Sequence, residues 1–257
     1  MLDIYAPTSG AAPAPVVVFF YGGGWTSGDR AIYRFVGRSL AACGVLVIIP
    51  DYRVWPETGF PGFLQDAAAA VAQARLLAPR HGGDPDRLFL MGHSAGAYIA
   101  AMLALDPTWL AAVGVEARDT LAGVLGIAGP YDFLPLKDPV LQQIFEPVGP
   151  HTQPIRFAQN ATVPFLLMSG SADVTVDPGN SQRLAARVRM EGGQAEVRLY
   201  PGLGHAAVLG ALARPLRFLG PVRDDTCQFL GVPSQVRSAA IVPDRLAKPG
   251  QNMAYQR

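Results

Sequence analysis

A chain of 257 residues, half of them hydrophobic and 16% charged, is long enough for one large α/β domain or two small ones. Its 21 basic and 20 acidic residues leave a net charge of +1, which gives no electrostatic case for nucleic acid or an acidic membrane surface as partner. No unbroken apolar stretch of about eighteen residues occurs, so no membrane span is expected. Asp3 in place of a basic cluster, with Pro13 and Pro15 ahead of the first apolar run, does not read as a signal peptide, and the expected location is cytoplasmic. Cys43 and Cys227 show no metal spacing and are expected to be free buried thiols.

Leu2-Asp3-Ile4-Tyr5-Ala6 alternates apolar and polar residues, as a short edge strand does. After a Pro/Ser/Ala/Gly loop, Val16 to Phe20 is a dense β-branched and aromatic run, the mark of a strand covered on both faces. It ends in Tyr21-Gly22-Gly23-Gly24-Trp25. Helical spacing over Ile32 to Ala42 stops at Gly44, and Val45 to Ile49 is a second buried strand, closed by Pro50-Asp51-Tyr52-Arg53. Phe63 to Ala78 is an alanine-rich helix closed by Pro79.

Arg87 to Met91 is again a buried strand, and the alanine-rich run after Gly96 is a helix as far as Asp106-Pro107. Leu121 to Ile127 is a strand followed by Gly129-Pro130-Tyr131-Asp132. Between about 133 and 163 the pattern dissolves into prolines and short apolar pieces, as an inserted cap would. Phe165 to Met168 is a strand ending at Asp173, Asp177-Pro178 opens a helix, and Glu196 to Tyr200 is a strand leading to Gly202-Leu203-Gly204-His205. A last helical region runs to about Leu230. The segment 231–257 loses periodicity and is expected to be a loosely ordered tail.

Strands alternating with helices call for an α/β fold with a mostly parallel central sheet and helices on both faces. Ligands bind such a sheet outside the C-terminal ends of its strands. The turn at Tyr21, Ser94, Asp173 and His205 each follow a strand, so all four should share one edge of the sheet.

Between the fourth strand and its helix lies Gly92-His93-Ser94-Ala95-Gly96. A strand turning sharply into a helix leaves Ser94 on a strained corner with its hydroxyl exposed, and the flanking glycines let backbone approach closely. The plainer alternative is a turn that merely needs two glycines. A serine nucleophile needs a base. His93 sits beside the serine and is poorly aimed; His81 lies in a turn and His151 in the irregular segment, which leaves His205. Asp173 is the best acceptor for that histidine, with Asp177, which looks like a helix cap, and Asp132 as rivals. The order Ser, Asp, His is that of an α/β-hydrolase. Backbone N–H groups of the Gly22-Gly23-Gly24 run, with that of Ala95 at the helix N-terminus, could stabilise a developing oxyanion. A phosphate loop is poorly supported, because no Lys-Ser/Thr pair follows the glycines.

Gly92-His93-Ser94-Ala95-Gly96 with the upstream Gly-Gly-Gly-Trp resembles the α/β-hydrolase superfamily. The similarity is greatest to the hormone-sensitive-lipase-like carboxylesterases and the feruloyl-esterase-like and kynurenine-formamidase-like hydrolases. It extends from Leu2 to Leu230 and includes Pro50-Asp51-Tyr52-Arg53 and Gly202-Leu203-Gly204-His205. The resemblance implies a triad of Ser94, Asp173 and His205, with oxyanion donors at Gly23, Gly24 and Ala95. One departure is Tyr21, where many relatives have His; that side chain usually supports the loop without reacting. No cofactor or metal is implied. Trp25, Tyr98 and Tyr131 are expected to line the substrate pocket, with few charges around them. The expected activity is hydrolysis of a small-molecule ester, uncharged, short-chain or aryl, through an acyl-enzyme. An arylformamidase using the same triad is the alternative, and a non-catalytic ligand binder on the same scaffold is a more distant one.

Overall fold

The computed structural model describes residues 1–7 and 13–232; the expected tail lies outside them, apart from its first two residues. Seven strands form one sheet: β1 (Leu2–Tyr5), β2 (Ala14–Phe20), β3 (Leu46–Pro50), β4 (Gly83–His93), β5 (Leu121–Ile127), β6 (Phe165–Gly170) and β7 (Ala195–Tyr200). Nine α-helices are present among the described residues: α1 (Arg34–Ala41), α2 (Gly62–Leu77), α3 (Ala95–Leu105), α4 (Pro107–Ala111), α5 (Ala117–Thr120), α6 (Pro139–Ile144), α7 (Gly179–Met190), α8 (His205–Gly210) and α9 (Val222–Phe229). Strands β2 and β3 are buried along their whole length, as their continuous apolar runs require.

The strand order is β1-β3-β2-β4-β5-β6-β7. Only β1 runs antiparallel to its neighbour, pairing Leu2 with Pro50 and Tyr5 with Val47. The direction of travel across the sheet reverses after β3. α1 packs beside α9, whereas α2 packs on α3, and α3 and α7 both pack on the segment Pro154–Asn160, as helices divided between the two faces of the sheet do. Because β2 leads away to β3 and β4 leads the opposite way to β5, the crevice between the carboxyl ends of β2 and β4 is left open. That crevice receives the glycine-rich turn from one strand and Ser94 from the other. The irregular segment between β5 and β6 contains α6 and two 3₁₀ turns, Pro150–Thr152 and Pro154–Asn160, with no strand among its residues.

The expectation of two free thiols is corrected. Cys43, just beyond α1, and Cys227, in α9, form a disulfide with a Cα–Cα distance of 6.5 Å. Their 184-residue separation carries no pairing signal. The bond depends on α1 and α9 packing side by side, and that contact is set by the sheet topology.

Candidate active site

Ser94 has φ 54° and ψ −121°, outside the regions that L-residues favour, so the strand-to-helix corner is strained. It is tied down on both sides. Its N–H donates to the Ile127 carbonyl (2.8 Å), and its own carbonyl accepts from the N–H groups of Ala97 (2.9 Å) and Tyr98 (3.1 Å). The two glycines are sterically required. A Cβ on Gly92 would collide with the Gly96 carbonyl, and one on Gly96 would collide with the Phe20 carbonyl at the end of β2. Ala95 is the first residue of α3, so its N–H belongs to the first-turn donors that lack an intrahelical acceptor.

The Gly22–Trp25 turn follows β2. Gly24 and Trp25 are left-handed at φ 60° and 59°, and Gly23 has φ 141°. The Gly23 carbonyl accepts from the N–H groups of Thr26 and Ser27 (3.1 Å each) and from both of their hydroxyls (3.2 Å each), which folds the turn onto itself. Gly22 lies against the elbow: a Cβ there would stand 3.1 Å from the Ser94 Cβ. Tyr21 supports the turn from beneath. Its ring is stacked between Tyr52 (4.6 Å) and Tyr33 (5.6 Å), the Tyr52 hydroxyl donates to the Tyr21 carbonyl (2.7 Å), and the Tyr33 hydroxyl donates to that of Gly22 (3.2 Å). Burial pushes the Tyr21 phenol up to about 12, so it stays neutral.

Asp173 follows β6, and His205 opens α8 after β7. His205 Nδ1–H donates to Asp173 Oδ2 at 2.8 Å. The Asp173 carboxylate is fully buried, and its other oxygen accepts from the N–H groups of Thr175 and Val176, 2.9 Å each. The two rival carboxylates are engaged elsewhere. Asp132 pairs with Arg183 Nε at 2.7 Å, and Asp177 caps the Gly179 N–H (2.9 Å) while also pairing with Arg183. Neither makes a hydrogen bond to His205 among the described residues.

A cavity of about 540 Å³ opens beside Ser94. Gly24, Trp25, Phe133, Leu134, Leu141 and Val176 form its apolar wall, and Asp132, Lys137, Asp177 and Arg183 give it a charged rim. A larger hollow of about 950 Å³, between Leu134 and Gly149, does not touch Ser94. Of the three aromatic residues expected at the pocket, only Trp25 lines the cavity. Tyr98 is fully buried, with its hydroxyl donating to the Thr152 carbonyl (2.9 Å). Tyr131 is fully buried, its ring packed against Gly126 and Gly129. Burial raises both phenols well above their ordinary value. Phe133, stacked on Trp25 at 5.9 Å, and the rim residues Lys137 and Arg183 were not anticipated, and Asp132 and Asp177 were weighed only as rivals to Asp173. Asp132, Phe133, Lys137 and Asp177 come from loops whose sequences have no period to read, and Arg183 comes from α7, where helical spacing alone does not say what a side chain reaches. Among the described residues, no group of three or more His, Cys, Asp or Glu side chains is placed to hold a metal ion.

His93 also acquires a place that the sequence did not suggest. It is 6% exposed, its Nε2 lies 3.1 Å from the His205 carbonyl, and the two imidazoles are 4.8 Å apart between centroids. Burial, and then the neighbouring His205, hold its pKa down at about 4.

A strained serine corner at the switch point of a mostly parallel sheet, with an Asp-paired histidine on the same edge, defines an α/β-hydrolase fold. The BD-FAE family profile matches residues 2–188, and the chain belongs to that family. It is 30% identical over 237 residues to a probable isoprenylcysteine alpha-carbonyl methylesterase ICME of Oryza sativa subsp. japonica, covering 84% of this chain and 57% of the relative. It is 32% identical over 247 residues to esterase LipC of Mycobacterium tuberculosis, covering 84% of this chain and 60% of LipC. The chain thus spans little more than half the length of these curated relatives. A structure of Thermogutta terrifontis esterase 2 phosphoramylated by tabun superposes with a TM-score of 0.73 at 23% identity, covering 90% of this chain and 88% of that one. No helix among the described residues is long and apolar enough to cross a membrane.

Proposed function

We propose that this chain is a carboxylesterase acting on small esters through an acyl-enzyme. The observation that carries the reading is the 2.8 Å bond from His205 Nδ1–H to the buried Asp173, on the sheet edge that also holds Ser94 on its strained corner. With Nδ1 donating to Asp173, Nε2 is the nitrogen that carries the lone pair. It takes the Ser94 proton as the hydroxyl attacks the ester carbonyl. The buried carboxylate then stabilises the imidazolium, which protonates the departing alcohol. A water activated in the same way releases the acid. The amides of Gly23, Gly24 and Ala95 are the donors for the oxyanion, each worth about 3–4 kcal/mol by analogy with tested cases.

The relatives' names support an ester substrate over a formamide. The apolar wall at Trp25, Phe133 and Leu141 suits a short-chain or aryl group, and residues 133–163 would serve as its cap. The disulfide argues against the cytoplasmic location expected from the sequence, because such bonds persist in oxidising surroundings. We therefore assign the chain to an oxidising compartment.

The test is turnover of p-nitrophenyl acetate by the wild type, Ser94→Ala and Asp173→Asn. Both variants should fold and lose activity, Asp173→Asn by about 10³–10⁴-fold. A fluorophosphonate should label Ser94. Undiminished turnover by Ser94→Ala rejects the nucleophile, and faster turnover of N-formylkynurenine than of aryl acetate would favour the amide reading.

A further inference from the structure

His93 takes no part in the proton transfers above, yet it touches both loops that flank the serine. We propose that His93 is a positioning residue, whose Nε2–H holds the His205 backbone carbonyl and whose ring face sets the resting place of the His205 imidazole. The proposal rests on the esterase reading.

A carbonyl oxygen can only accept, so the 3.1 Å contact places the imidazole proton on His93 Nε2. Nδ1 is then a bare lone pair. It is buried without a hydrogen-bond partner, on the side where a Cβ added to Gly22 would come within 2.9 Å. His93 therefore lies between the oxyanion turn and the His205 loop. A second proton would have to enter that closed side, and the depressed pKa of about 4 agrees with a ring that stays neutral. Neutrality matters because the His205 ring, 4.8 Å away, gains a proton in each half of the reaction.

The loop that delivers His205 needs such a hold. It runs through Gly202, at φ 72°, and Gly204, two residues that set little of their own conformation. Its other ties lead to the turn after β6: Gly202 N–H donates to Ser171 Oγ (2.9 Å) and Ala172 N–H donates to the Leu203 carbonyl (3.0 Å). These ties and the Asp173 bond fix His205 relative to β6. The His93 bond fixes it relative to β4, the strand that carries Ser94. The distance from the nucleophile to its base depends on that second link.

The experiment compares His93→Leu, which loses the donor, with His93→Gln, whose side-chain N–H can reach the same carbonyl. Kinetics on p-nitrophenyl acetate and melting temperatures are measured for each. His93→Leu should lose kcat by about ten- to hundredfold with KM little changed, as expected for a displaced catalytic group. His93→Gln should recover most of that loss. Should His93→Leu fail to accumulate, His93→Phe, which keeps a ring without the donor, takes its place. Unchanged kcat in the donorless variant, or an equal loss in both variants that tracks melting temperature, overturns the positioning role. A wild type that turns over no ester rejects the esterase reading, and the positioning role falls with it.

Discussion

Reducing the Cys43–Cys227 bond should cost this protein a large share of its stability. The bond closes a 184-residue span, most of the described chain. In the chain-entropy description, a loop of that size restricts the unfolded ensemble by about 5 kcal/mol, at the upper end of what native disulfides contribute. For a protein of this length that corresponds to a melting temperature lower by roughly 10–20 °C. The native state should change little, because neither sulfur is among the groups lining the Ser94 cavity. The assay is thermal unfolding of the oxidised protein, of the protein reduced under conditions where mass spectrometry confirms two added hydrogens, and of a Cys43→Ser/Cys227→Ser variant. Ester turnover at room temperature is followed in parallel. The reduced protein and the double variant should melt together, well below the oxidised form, with similar kcat. Two titratable thiols in the freshly purified protein, or identical melting after verified reduction, would refute the reasoning.

Two further outcomes follow from the packing around the elbow. His93 has its pKa lowered from the ordinary 6.5 to about 4, so between those values the unfolded chain binds a proton that the folded chain refuses. Stability present above about pH 6.5 should therefore fall as the pH drops toward 4, by about 3 kcal/mol from this residue; urea midpoints should drift less with pH in His93→Gln, and an equal drift would remove His93 as the cause. Gly96→Ala drives a methyl group into the Phe20 carbonyl, with backbone on both sides and nothing flexible to yield. The expected loss is about 3 kcal/mol or more, seen as poor soluble yield or a lowered urea midpoint, and wild-type stability in that variant would contradict the packing described.

The parts of the fold that were legible in the sequence are those set by neighbours along the chain. Gly92 and Gly96 announced the corner because the collision they avoid is between residues four apart, or with the adjacent strand. The inner strands were legible because double burial imposes continuous apolar runs such as Val16 to Phe20, while the half-exposed edge strand β1 was legible from its alternation. The disulfide was not, since Cys43 and Cys227 meet only once the crossovers have placed α1 and α9 on one face. Tyr98 and Tyr131 show a different limit. Their positions next to the elbow and β5 suggested the pocket, but proximity along the chain does not fix which way a ring points. Tyr98 points inward, its hydroxyl satisfied by Thr152; Tyr131 packs over two glycines. Asp173 could be preferred to Asp132 and Asp177 from its place after β6. What separates them in the structure is Arg183, which pairs with both rivals and leaves Asp173 to His205.

The arrangement of the site follows from one feature of the sheet. Parallel strands alone would put the four candidate loops along one edge, spread over the width of several strands about 4.8 Å apart. Placing β2 directly beside β4, with β3 displaced to the outside, brings the glycine-rich turn against Ser94, close enough that a Cβ on Gly22 would stand 3.1 Å from that of Ser94. The crossovers leaving these two strands run in opposite directions, so no connection covers the gap between them. The base has no such neighbour relation, since β7 stands at the far edge of the sheet. It must be carried back by a loop, and the loop's ties to Ser171, Ala172 and Asp173 fix it to β6 without setting its distance from Ser94. His93, one residue before Ser94, is placed by β4 itself, which is why the hold can come from the strand that also fixes the serine.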